Sequence, residues 1–207
     1  MSGFVQDVVA LGLLRVAEPE GARFPGRKGA PGMPWIADVR GALADPALRA
    51  RIVLELARRF GRDFQNAEMI IGLSKAGVAW GALLAWKLGL PGGVVHLDGP
   101  RGSGLQRQVE GPVAGRRVLL IDNLTRSHSS LIEAAQIIEA EAGTVAGAMT
   151  IVGRKDGPAT FPISPLCGEG DLEREGLRQG FLTEAHLVGN PADVTGLPTG
   201  TPSFDLS

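Results

Sequence analysis

Cys167 is the only cysteine among 207 residues, so no internal disulfide is possible and a reducing cytosol is the simplest compartment. Charge of either sign is not in excess. The net charge is −1, which leaves no basic footprint for nucleic acid or an anionic membrane. No apolar run approaches the roughly 18 residues that a membrane helix needs. The N-terminus lacks a basic stretch before its apolar residues, so a secretory leader is not expected. A G-x-x-x-x-G-K-[ST] loop is missing, and Gly102-Ser103-Gly104 does not stand between a strand and a helix in dinucleotide-binding order. His96 and His186 have no His, Cys or Asp neighbours at metal-cage spacing. There is no G-x-S-x-G elbow, and Ser and His side by side on one tight turn rarely form a nucleophile, base and orienter. A hydrolase built on residues 127–130 with Asp122 is therefore disfavoured. Asn123-Leu124-Thr125 fits the N-glycosylation pattern, but it ends an expected buried strand and reads as chance.

What is present is an ordinary globular composition, 44% hydrophobic and 21% charged, and a length that suits one domain with a sizeable core. Residues 4–16 are apolar at helical spacing and read as an N-terminal helix. Residues 21–34 form a Gly- and Pro-rich loop carrying Arg23, Arg27 and Lys28. Residues 35–39 read as a short strand. Asp45 and Pro46 then open a helix as N-cap and first residue, with Leu48, Ile52, Leu56, Ala57 and Phe60 on its apolar face. From Met69 the pattern is strand, turn, helix, repeated. Met69-Ile70-Ile71 is a strand, residues 72–77 a glycine-flanked turn, and residues 78–88 a helix closed by Gly89 and Pro91. Residues 94–97 form the next strand, 99–115 a long glycine-rich stretch, 144–152 another strand, and 171–179 a helix. Trp80 and Trp86 lie on an apolar helix and read as packing or subunit-contact residues.

Residues 116–142 are the centre of the chain. Val118-Leu119-Leu120-Ile121 is short and β-rich enough to be buried on both faces, and Asp122 and Asn123 end the run. A polar turn follows through Thr125, Arg126, Ser127, His128, Ser129 and Ser130. Ser130 and Glu133 have capping-box spacing, which makes Ser130 the expected N-cap. Leu131, Ala134, Ala135, Ile138 and Ala142 continue at helical spacing, and Gly143 ends the helix. A strand feeding a helix N-terminus places free N–H groups and a positive dipole end at a sheet's carboxyl edge, an anion site. Hydroxyls and Arg126 crowd the turn, which suits a phosphate monoester. The alternation predicts an α/β fold, a doubly wound parallel sheet, with ligands beyond the carboxyl ends of its strands. The turns at 74–77 and 122–130, and Arg154, all fall there. No repeat or long linker divides the chain, so residues 1–207 are expected as one domain: N-terminal helices and a small subdomain over 1–62, an α/β core over 63–157, and a C-terminal segment with a Pro/Gly/Thr/Ser tail over 158–207.

From about residue 21 to 154 the chain resembles the type I phosphoribosyltransferases, among them most of all the orotate phosphoribosyltransferases. VLLIDNLTRSHSSL is similar to the family's diphosphate-sugar motif, residues 72–77 to its pyrophosphate turn, residues 98–110 to its flexible catalytic loop, and residues 24–38 to its base-covering segment. The resemblance implies transfer of a phosphoribosyl group from phosphoribosyl diphosphate to a nitrogenous base with release of pyrophosphate. It implies Mg²⁺ carried with the diphosphate, and a homodimer. Asp122 would hold the ribose hydroxyls and is the candidate protein contact for the metal, and Arg101 would be the catalytic-loop cation. Asn123, Thr125, Arg126, Ser127, His128, Ser129 and Ser130 would surround the 5′-phosphate. Ser74, Lys75, Ala76 and Gly77 would meet the pyrophosphate, while Arg27 or Lys28 and Arg154 would flank the base. The sequence also departs from the motif. Asn123 replaces a second acid, His128-Ser129 a glycine pair, Arg101 and Ser103 an expected Lys and His, and Gly153 an Asp. These changes leave open an alternative: the same fold binding a nucleotide or sugar phosphate as a sensor, with weak turnover or none.

Overall fold

The computed structural model describes residues 2–18, 22–25, 32–100, 102 and 104–187. Near-continuous apolar runs build its central sheet. Strands β3 (Met69–Leu73) and β6 (Arg117–Thr125) are buried along most of their length, as expected of strands covered on both faces. With β4 (Gly92–Val95), β5 (Val109–Glu110), β7 (Thr144–Gly153) and β8 (Ile163–Cys167) they form a six-stranded sheet, order β5-β4-β3-β6-β7-β8. All neighbours run parallel except β5, which pairs antiparallel with β4.

Helices cover both faces, so the doubly wound expectation holds. Leu119 and Ile121 of β6 join the core formed with α1 (Ser2–Ala10), α2 (Pro46–Asp63), α3 (Gly77–Leu88) and α5 (Glu169–Arg178). Val118 and Leu120, turned the other way by strand alternation, pack against Leu131, Ala134 and Ile138 of α4 (Ser129–Ala140). Asp45 caps α2 by accepting from the Leu48 N–H at 2.9 Å, with Pro46 as first helical residue. Gly89 closes α3 in the left-handed conformation, φ 67°. Trp80 is buried among these helices, whereas Trp86 on the same helix is 81% exposed. Among the described residues no helix is long and apolar enough to cross a membrane.

Several expectations need correction. The helix expected over residues 4–16 stops at Ala10. Gly12 turns the chain at φ 88°, and β1 (Leu14–Val16) pairs antiparallel with β2 (Trp35–Ala37) in a separate ribbon. Six strands stand in the main sheet where four segments were expected. β5 is only two residues long, and β8 carries Pro165, tolerated because β8 is an edge strand. Arg59 of α2 caps that edge, donating to the carbonyls of Pro165 at 2.8 Å and Leu166 at 3.1 Å while paired with Glu55. Helix α4 ends at Ala140, and the left-handed residue beyond it is Ala142, φ 58°, not Gly143.

The topology also marks one place on the sheet. From β3 the chain runs through α3 to β4 on one side; from β6 it runs through α4 to β7 on the other. The connections thus diverge between β3 and β6, the switch point where open α/β sheets bind ligands.

Candidate active site

The turn after β3 and the loop after β6 meet at this switch point because glycines let backbones touch. A Cβ on Gly77 would lie 2.2 Å from the Ile121 carbonyl oxygen and 3.0 Å from Asp122 Cα. The start of α3 therefore rests directly on the end of β6. Gly72 is needed for the same reason, since its Cβ would meet Val78 Cα at 2.7 Å. Residues 74–77 are in this way held beside Asp122. The Ser74–Lys75 peptide is cis, and Lys75 is well exposed, its Nζ 3.5 Å from Asp98 Oδ2 at the root of the 96–108 hairpin loop. Ala76 is the N-cap of α3 and makes no side-chain cap bond.

Strand β6 runs further than expected, to Thr125, so Asp122 and Asn123 belong to its carboxyl end. Asp122 is 9% exposed, and its Oδ1 accepts from the Asn123 N–H at 2.7 Å. Thr125 is buried under Gly153. A Cβ at Gly153 would fall 2.9 Å from both the Thr125 carbonyl oxygen and Thr150 Oγ1. This packing explains why glycine stands where the resemblance expects an Asp.

The capping box is also corrected. Helix α4 begins at Ser129, its N-cap is His128 at φ 61°, ψ 0°, and no side chain caps it. The first N–H with a helical acceptor is that of Ile132, bonded to the His128 carbonyl at 2.9 Å. The three preceding N–H groups, of Ser129, Ser130 and Leu131, have no intrahelical partner. No acidic residue lies in the first turn to compete for them. Ser127 and Ser129 are exposed, their hydroxyls 3.0 Å apart, and Ser130 is half-buried. One of the two positions where the family motif has glycine thus requires positive φ, and a histidine occupies it. His is enriched among non-glycine residues there, though such a backbone costs about 1–3 kcal/mol. The imidazole does not lie across the loop. It is 1% exposed and turned toward the 154–157 segment.

One site residue points elsewhere than expected. Arg126 donates through Nε and Nη2 to Glu169 Oε1, at 2.8 and 2.5 Å, at the start of α5. Nothing in the sequence signals that partnership, because α5 lies more than forty residues downstream. Arg154 is exposed just past β7, on the strand beside β6. Arg27, Lys28, Arg101 and Ser103 lie outside the described residues. Among the described residues no group of three or more His, Cys, Asp and Glu side chains converges on a point where a metal could sit. The site therefore offers an anion cradle, one carboxylate at a strand end and a second backbone turn beside it.

No family model matches the chain. Orotate phosphoribosyltransferase from Sulfurisphaera tokodaii is 32% identical over 90 residues, 44% of this chain and 46% of the relative. The enzyme of the same name from Cutibacterium acnes is 33% identical over 119 residues, 57% of this chain and 55% of the relative. The chain thus spans about half the length of these curated relatives. The crystal structure of orotate phosphoribosyltransferase from Aeropyrum pernix superposes with a TM-score of 0.67 at 20% identity, covering 87% of this chain and 99% of that one. In sequence the chain is similar to proteins named orotate phosphoribosyltransferase, and its fold is that of the same enzyme's crystal structure.

Proposed function

We propose that the chain is a divergent phosphoribosyltransferase that moves the phosphoribosyl group from phosphoribosyl diphosphate to a nitrogenous base, orotate being the first candidate. One observation carries this reading. The uncapped N-terminus of α4, the Asp122 carboxylate and the 74–77 turn converge at a single switch point, with Gly77 seated on Ile121 and Asp122. The relatives named orotate phosphoribosyltransferase support it.

In this reading the N–H groups of Ser129, Ser130 and Leu131 hold the 5′-phosphate, helped by the Ser127, Ser129 and Ser130 hydroxyls, while Arg126 stays paired with Glu169. Asp122 accepts from the ribose hydroxyls. Residues 74–77 orient the pyrophosphate, with Lys75 as a nearby positive charge. Arg154, with Arg27 or Lys28, faces the base. The bond from the anomeric carbon to pyrophosphate oxygen breaks as the bond to a ring nitrogen of the base forms, and the protein contributes mainly positioning and electrostatics. Mg²⁺ bound with the diphosphate would neutralise charge on the leaving group, and Asp122 is the carboxylate at that strand end that could face it. A cytosolic setting suits the single, buried Cys167 thiol. A homodimer is the assembly we infer, with exposed Trp86 and Leu54 as the apolar residues it would cover.

The test is release of pyrophosphate from saturating phosphoribosyl diphosphate and Mg²⁺ with orotate, uracil or purines in turn. Turnover with one base is expected; silence with all of them refutes the enzyme. A second reading is favoured by Asn123 in place of an acid and by the engagement of Arg126 with Glu169: the chain binds a nucleotide or sugar phosphate without turning it over. Calorimetric heat from nucleoside monophosphates, with no pyrophosphate released, would select it.

A further inference from the structure

We propose that His128 is a positioning residue that ties the phosphate loop to the base side of the site, through the main chain of Arg154. What the two ends hold rests on the phosphoribosyl-transfer reading; the tether itself does not.

A polar residue at a helix N-cap ordinarily turns back to accept from the first turn's N–H groups. His128 makes no such bond. Its ring reaches across to the segment following β7, where Nε2 lies 3.0 Å from the Arg154 carbonyl oxygen. A carbonyl oxygen only accepts, so Nε2 carries a proton and donates it. Nδ1 is buried and without a partner. The opposite wall is shaped to the ring. A Cβ on Gly157 would come within 2.4 Å of both Cε1 and Nδ1, so only glycine leaves room for the imidazole there.

The backbone makes the same point. At φ 61° a glycine would sit without strain, yet this chain places there a side chain that is almost completely enclosed. Two consequences follow. The N–H groups at the start of α4 stay available to an anion, because the N-cap side chain does not consume them. The root of Arg154, whose own side chain is exposed, is fixed relative to those N–H groups by one hydrogen bond and a closed packing contact. An anion seated on α4 and a base facing Arg154 are then registered to each other through the imidazole.

The test compares wild type, His128→Gly and His128→Asn. Asparagine tolerates positive φ but is too short to span to Arg154, so both variants cut the tether, with backbone strain relieved to different extents. In both, the KM for orotate should rise about tenfold, the equivalent of one lost hydrogen bond. The KM for phosphoribosyl diphosphate and the affinity for ribose 5-phosphate should stay within about twofold. A side chain that only filled space would move stability without splitting the two KM values, and an unsplit pair in either folded variant overturns the proposal. The second measurement uses wild type alone. Long-range ¹H–¹⁵N spectra should show His128 protonated at Nε2 with a slowly exchanging ring proton. A bare Nε2 with the proton on Nδ1, or a freely exchanging Nε2 proton, overturns the tether. This readout needs no turnover, so a protein inactive with every base would sink the phosphoribosyl-transfer reading while leaving the tether decided by the spectrum.

Discussion

Gly77→Ala is a one-carbon change that the structure does not accommodate. The added Cβ would stand 2.2 Å from the Ile121 carbonyl oxygen and 3.0 Å from Asp122 Cα. A comfortable carbon–oxygen approach is about 3.3 Å, so α3 and the end of β6 must part by roughly 1 Å. Both obstructing atoms are backbone and no rotamer change relieves them. Overpacking of this kind costs about 1–3 kcal/mol. Alanine's helical preference over glycine returns at most about 1 kcal/mol, less at a first helical position. The net expectation is a loss of about 1–2 kcal/mol, measured as a shift of the urea midpoint at constant m. Turnover should suffer more, because a displacement of about 1 Å between the 74–77 turn and Asp122 is worth about a hundredfold in rate. The internal control is Gly61→Ala in α2, where nothing lies within 4 Å of the new Cβ. There the same substitution should stabilise, by up to about 1 kcal/mol. If Gly77→Ala were as stable and as active as wild type, the claim that these two backbones meet to build the site would be wrong.

Further expectations address single groups. On the phosphoribosyl-transfer proposal, Asp122→Asn should reduce pyrophosphate release by about a hundredfold or more with little change in melting temperature, since it removes the charge that would face the sugar and keeps the shape; equal rates would remove Asp122 from the chemistry. Arg59→Met should cost about 3 kcal/mol in denaturant unfolding, at the low end for breaking a buried pair because Glu55 keeps Arg58. For Glu55, burial opposes ionisation, but the hydrogen bonds and charges of Arg58 and Arg59 outweigh it and hold the carboxyl below its ordinary value of 4.5. A depressed carboxyl stabilises the fold above its unfolded pKa and loses that contribution as pH falls through its folded one. The stability of wild type should therefore decline more steeply below about pH 4.5 than that of Glu55→Gln, and parallel acid limbs would contradict the assignment. The Cys167 thiol is pushed up to about 12 by burial, with the Asp171 charge adding to it. It should react with a chromogenic disulfide only as fast as the protein opens, and rapid labelling of the native chain would show the thiol to be accessible.

The parts of the fold that could be read from the sequence are those in which local chemistry and tertiary packing agree. Asp45-Pro46 starts a helix on its own terms, Gly89 ends one, and the Met69 and Val118 runs are apolar because both of their faces are covered. What escaped notice depends on distant neighbours. Ile163–Cys167 carries a proline and half-buried positions, and it is a strand because β7 pairs with it and Arg59 covers its free side. Arg126 reads as a phosphate ligand in isolation; its contact with Glu169 exists only once α5 is laid beside the loop.

The helix start at 128–130 shows how a local rule can be overridden. Ser130 and Glu133 satisfy the capping-box spacing, worth about 1 kcal/mol when formed. For Ser130 to serve as N-cap, the chain would have to enter the helix two residues later than it does, and Ser129 would be non-helical. Instead the chain turns at His128 in the left-handed region, a conformation that forgoes the capping bond and carries strain of its own. Both costs are local, while the compensation comes from elsewhere: an enclosed ring, one hydrogen bond to Arg154 and a notch at Gly157. A stability argument alone would have chosen the cap. That the fold instead leaves the first-turn N–H groups uncapped is what the proposed phosphate site requires, because a serine accepting from them would occupy the place a phosphate oxygen would take.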